Sequence, residues 1–141
     1  LAGLVSITAE PLAPTLAQSL IIGAVGGAIV IVVVPFLDKV KIDDVVGAIP
    51  VHLVAGFWGT AVVAWNTQTE ISDGVSRSMG SQLMVQIMGF AAIGAFVFVV
   101  SFIVFHIIKA TIGLRAGEEE EIDGLDKAET GMEAYPEFNL G

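Results

Sequence analysis

The sequence predicts an all-α membrane protein, a polytopic bundle of transmembrane helices, and three observations carry that expectation. Of its 141 residues, 55% are hydrophobic, with a mean hydropathy of +0.83. The charged residues are confined to a few short segments. Between them lie apolar runs of the length that a bilayer core of about 30 Å demands of a helix, roughly 20 residues. A soluble core of this length would spread its charges along the chain. With no cysteine, disulfides, thiolate chemistry and cysteine-ligated metal are all excluded.

Leu1–Ala9 is apolar and lacks the basic start of a signal peptide, so it reads as the end of a helix that begins outside this sequence. Two prolines, Pro11 and Pro14, break it. Thr15 to Leu37 holds no charged residue and is a full span; Gly23 and Gly27 form a GxxxG pair suited to close helix packing. Pro35 falls where that span reaches the interface. After the charged turn Asp38–Asp44, Val45 to Asn66 forms the next span, in which Trp58 and Trp65 read as packing and interfacial anchors. A polar loop, Thr67–Arg77, leads to Ser78–Ile108. That run is too long for one untilted span and implies tilt or an interfacial portion. His106 lies near its far end and reads as an interfacial histidine.

Lys39, Lys41, Lys109 and Arg115 flank the spans on one side and Arg77 alone on the other. The positive-inside rule therefore places the Asp38–Asp44 turn and the C-terminus in the cytoplasm. Glu118, Glu119, Glu120, Glu121, Asp123, Asp126, Glu129, Glu133 and Glu137 supply nine of the fifteen carboxylates, all after the last span. The net charge of −9 thus belongs largely to a tail. It argues against nucleic acid and anionic lipid as partners, and for a soluble protein partner. The resulting division is 1–113 membrane-spanning and 114–141 tail. No phosphate-binding glycine loop, zinc-protease helix or serine elbow is present, and the tail lacks the alternating ligands of a calcium loop. The chain is not read as an enzyme, and no metal or cofactor is implied.

His52 is the only ionisable residue between Asp44 and Glu70. On an α-helix it shares a face with Ala48, Ala55, Gly56 and Gly59, all small. A histidine at membrane depth requires a partner or a task. Pro50, unable to donate to the Val46 carbonyl, predicts a kink or break beside it. Spacing alone leaves open whether His52 is a hydrogen-bonded packing residue or lines a substrate path.

The segment Gly3-Leu4-Val5-Ser6-Ile7-Thr8-Ala9, the run Val51-His52 with Gly56-Phe57-Trp58-Gly59-Thr60, and the tail Gly113-Leu114-Arg115-Ala116-Gly117-Glu118-Glu119-Glu120-Glu121-Ile122-Asp123-Gly124-Leu125-Asp126, continued by Gly131 and Ala134-Tyr135, together carry a resemblance. The chain resembles the C-terminal part of ammonium transporters of the Amt/Mep/Rh family, in its prokaryotic Amt branch. The resemblance implies the end of the eighth helix and helices nine to eleven of an eleven-helix fold, a homotrimer in the cell membrane, and one narrow apolar pore per subunit. It implies that His52 is one of two pore histidines, the other lying on a fifth helix outside this chain, and that Thr8 borders the same pore. It further implies ammonium or ammonia as substrate, and a regulatory tail (Arg115, Gly124, Leu125, Asp126, Tyr135) open to a PII-type signal protein. The chain departs from the family's common pattern at Gly47, often aspartate; at Pro50 and Leu53, where glycine is common; and at Thr130, often histidine. An ammonium sensor carrying a further signalling module and a structural membrane subunit are the alternative functions.

Overall fold

The computed structural model describes residues 1–9, 14–66 and 78–134. Among these there is no strand, and the elements fall into two compact units, Leu1–Ala95 and Phe96–Gly141.

The first unit opens with helix α1 (Ala2–Ile7), followed by α2 (Leu16–Lys39). Thr15 starts α2 with a reciprocal cap: its hydroxyl accepts the Gln18 N–H at 3.3 Å, and the Gln18 side chain accepts the Thr15 N–H at 2.8 Å. At 24 residues α2 is about 36 Å long, enough to cross a bilayer core of about 30 Å. Pro35 does not stop it; the helix runs on to Lys39. Lys41 then takes a positive φ of 60°, and the Ile42 N–H reaches back to the Leu37 carbonyl at 3.0 Å, closing the helix end.

The next helical stretch begins with a π-helical turn, Ile49–Val54, which passes into α3 (Ala55–Val62) and a 3₁₀ turn, Val63–Asn66. The span expected from Val45 therefore starts later. Val45 and Val46 are exposed and outside the helix. Gly47 has φ +67°, a conformation that L side chains rarely adopt and that does not continue a right-handed helix. Asp44 replaces the missing turn: its Oδ1 accepts the Ala48 N–H at 2.8 Å and its Oδ2 the Ile49 N–H at 2.7 Å. Pro50 thus falls in the first turn, where a missing N–H costs nothing.

Three small-residue contacts hold this unit together. A Cβ built on Gly3 would lie 2.9 Å from the Gly23 carbonyl oxygen. One on Gly26 would lie 2.9 Å from the Ala2 carbonyl oxygen and would collide with the Ser6 hydroxyl. One on Gly59 would collide with the Ser6 carbonyl. Ala2, Ser6, Gly26, Ala55 and Gly59 are accordingly buried. The α2 glycines in contact are Gly23 and Gly26, not the expected pair Gly23 and Gly27: a Cβ on Gly27 would meet open space. Trp58 adds a polar clasp, its Nε1–H donating to the Ile22 carbonyl at 3.2 Å while its ring meets Trp65 edge-on at 5.7 Å.

Helix α4 (Met79–Thr111) is one uninterrupted run of 33 residues, about 50 Å at the α-helical rise. It is far longer than a bilayer core, as its composition predicts, and has no buried residue. Within the first unit Phe90 packs edge-on against Phe57 at 4.8 Å.

The second unit holds the C-terminal part of α4 and two short helices, α5 (Glu118–Asp123) and α6 (Leu125–Thr130). Near the end of α4 the His106 Nδ1 lies 2.8 Å from the Phe102 carbonyl, so this histidine is tied to its own helix. Gly113, with φ +91°, ends α4 and donates to the Ile108 carbonyl at 3.0 Å.

The contrast between Gly26 and Gly27 is testable in the full-length protein in detergent. Gly26→Ala introduces an overpacked contact expected to cost about 1–3 kcal/mol and lower the thermal midpoint. Gly27→Ala leaves that midpoint unchanged.

Candidate functional site

His52 lies inside the π turn, and that turn decides where its side chain goes. A π turn admits one extra residue, equivalent to roughly 100° of helical rotation. On a regular helix His52 would share the face of Ala55 and Gly59. Instead Ala55 and Gly59 are buried against α1, a Cβ built on Gly56 would lie 3.8 Å from the Val5 side chain, and His52 is exposed. Its imidazole makes no hydrogen bond to any described residue. Among the described residues no hydrogen bond ties it to a neighbouring helix.

The backbone around it is tightly specified. Asp44 holds the entry to the turn, as above. At the exit the Ala55 N–H points to the carbonyls of His52 and Pro50. The Ala55 carbonyl accepts the Ser6 hydroxyl at 3.2 Å, and the same hydroxyl lies 2.9 Å from the Ala2 carbonyl. Ser6 is 1% exposed. Sequence reasoning passed over it because a serine in an apolar helix carries no motif; its pairing with Gly59 depends on tertiary contact.

Thr8 lies just past α1, exposed, its hydroxyl donating to the Leu4 carbonyl at 2.7 Å. It borders an open groove of about 280 Å³ with Leu4, Ile7, Pro14 and Ser19. Among the described residues no hydrogen bond joins Thr8 to His52.

In the tail, the Arg115 guanidinium donates through Nε at 3.2 Å and Nη2 at 2.9 Å to a single oxygen of Glu121. Both side chains are largely solvated, so this pair contributes only about 0–1 kcal/mol. The Glu120 carboxylate accepts the Gly117 N–H at 2.9 Å and starts α5. Gly124, with φ +95° and ψ +127°, is the joint between α5 and α6; a Cβ there would lie 2.7 Å from the Asp126 carboxylate. Asp126 Oδ2 accepts the Ala134 N–H at 2.7 Å, and Thr130 bonds the Asp126 carbonyl. The backbone N–H of Ala134, followed by that of Lys127, holds the Asp126 carboxyl below the usual carboxylate range. Ile122 and Leu125 are exposed. Gly113, Gly124 and Gly131 take positive φ, whereas Gly117 has an ordinary extended conformation. Tyr135 lies outside the described residues.

The sequence pattern of the Ammonium Transporter Family matches residues 1–135. The chain belongs to this family. It is 40% identical, over 98% of its length, to ammonium transporter Amt1 of Haloferax mediterranei. It is 36% identical over 97% of its length to ammonium transporter Amt2 of Archaeoglobus fulgidus, and 36% identical over 96% to the ammonium transporter of Bacillus subtilis. The chain spans 26%, 31% and 35% of those relatives' own lengths, so it corresponds to a fragment of proteins of their size. Two of its helices, α2 and α4, are long and apolar enough to cross a membrane, in keeping with a family of membrane transporters. The apolar stretch Ile49–Trp65, which carries His52, is shorter.

The Asp126 bond gives a pH prediction for this family member's tail. A depressed carboxyl stabilises the folded form above its ordinary pKa and loses that contribution as pH falls through the depressed value. Protection of the Ala134 amide from hydrogen exchange, corrected for the intrinsic rate, is therefore constant from neutral pH down to about 4 and declines below it. Asp126→Ala removes the protection at neutral pH.

Proposed function

We propose that the protein to which this chain belongs moves ammonium or ammonia across the cell membrane through an apolar pore, with His52 lining that pore. The observation that carries the proposal is the position of His52: the family match covers it, and beside the π turn its imidazole is exposed, with no hydrogen-bond partner among the described residues. Thr8 is proposed as a second residue bordering the path. A membrane-depth imidazole unoccupied by local packing is kept for a task or for a partner supplied elsewhere in the whole protein. A second histidine on a helix outside this chain fits that requirement.

The chemistry follows from desolvation. Ammonium is strongly hydrated, and an apolar passage offers nothing to replace its water. A neutral imidazole has one donor and one acceptor nitrogen, so it can bind ammonia at its edge or relay a proton to a second imidazole. In this reading the cation loses its proton near the outer mouth, ammonia crosses, and the proton takes its own route. The whole protein is proposed to be a homotrimer of eleven-helix subunits with a cytoplasmic C-terminus. Residues 1–113 form the membrane part and 114–141 a control element. Exposed Ile122 and Leu125, turned by the Gly124 joint, support docking of the tail on a surface, and a PII-type protein is the proposed partner.

Two experiments on the full-length protein test this. His52→Ala at equal membrane abundance is expected to lower or alter methylammonium uptake while the oligomer still assembles; unchanged rate and selectivity contradict the pore role. Truncation after Leu114, and separately Gly124→Asp, are each expected to reduce uptake without removing the protein from the membrane. Full activity in both variants, with PII inhibition retained, contradicts tail control.

A further inference from the structure

We propose that Ser6 is a positioning residue for His52. Its hydroxyl fixes the π turn from a different helix, and so sets the direction in which the imidazole leaves the backbone. Four observations converge on it. Ser6 is a buried polar side chain in α1, at 1% exposure. Its one hydroxyl proton is shared between its own helix, at Ala2, and the Ala55 carbonyl 49 residues away, at 2.9 and 3.2 Å. Ala55 is the residue at which the π turn ends, and its N–H bonds the carbonyls of His52 and Pro50. Two hydrogen bonds through one residue, Ala55, therefore connect Ser6 to the His52 backbone. Finally, Ser6 is seated against glycines on both neighbours: any Cβ on Gly26 or Gly59 would collide with it.

A π turn is stable only where something holds the extra residue in place, because the surrounding helix gains by expelling it. Asp44 anchors the N-terminal end through two backbone N–H groups. At the C-terminal end the carbonyl of the fully buried Ala55 finds a donor in Ser6. If that donor is lost, the junction is free to return to regular α-helical bonding. The return rotates His52 by roughly 100° toward the buried face of Ala55 and Gly59. The hydrogen bond also discriminates: a hydroxyl in α1 can hold the junction only where Gly59 admits the Ser6 backbone. Glycine and serine thus act as a pair drawn from two helices.

The test uses full-length protein in lipid nanodiscs, with isotope-labelled histidine and the His52 signal assigned by its loss in His52→Ala. Ser6→Ala keeps the small volume and removes the donor. It is expected to shift the His52 ring resonances while those of His106 stay in place, and to lower uptake per assembled molecule about fivefold, the equivalent of one net hydrogen bond. Ser6→Cys, with its weaker donor, is expected to give a smaller shift of the same sign, and reads the effect should the alanine variant fail to assemble. Unmoved His52 resonances in an assembled variant overturn the proposal whatever the uptake. The transport consequence rests on the pore role of His52 proposed above, but the resonance shift does not. If His52→Ala leaves uptake intact while Ser6→Ala still moves the His52 signal, positioning stands and the pore role falls.

Discussion

Helices in a bilayer gain little by hiding apolar side chains from one another, since lipid is equally apolar, and their association depends on how closely their backbones approach. In this chain that approach is made at one place. α1 is wedged between α2 and α3 through Ala2, Gly3 and Ser6. Opposite these stand Gly23 and Gly26 on α2, and Ala55 and Gly59 on α3. No large side chain intervenes at these contacts. Of the large apolar residues of α2 only Ile22 and Leu37 are buried, and those of α4 are exposed or half-buried.

The position of His52 follows from that contact. Because Gly59 lies directly beneath the Ser6 backbone, α3 has one rotational setting against α1. The residues before α3 must then connect to Asp44 and Gly47, and they do so through a π turn. The extra residue in that turn separates two groups that a regular helix would place together, a small face for packing and the imidazole of His52. His52 is exposed while the small residues beside it pack against α1. The same economy appears in the tail, where Gly124 and the Asp126 carboxylate set the fold and leave Ile122 and Leu125 outside it.

Much of this was legible in the sequence. The helical class, the positions of α2 and α4, the acidic tail and the family all follow from composition, run length and short motifs. The Arg115 pair with a tail carboxylate was also within reach, being a matter of proximity along the chain. What could not be read was register. A helical wheel drawn with a 3.6-residue period put His52 on the face of Ala55 and Gly59, and the π turn breaks that period between them. GxxxG spacing likewise singled out Gly27 beside Gly23, whereas α2 meets α1 through Gly23 and Gly26. The start of the His52 helix was placed at Val45 because valine is apolar; the positive φ of Gly47 and the Asp44 cap moved it to Ala48. Ser6 had no signal, as its meaning lies in a carbonyl 49 residues away.

The central claim is that contact between α1 and α3 holds the π turn beneath His52. The most direct measurement is hydrogen–deuterium exchange across residues 49–62 of the full-length protein in lipid, comparing wild type with Gly59→Ala. A methyl group at position 59 pushes α3 off the Ser6 carbonyl, so the account predicts faster exchange at the Ala55 amide, where the π turn closes. Equal exchange at Ala55 in an assembled Gly59→Ala protein would contradict it.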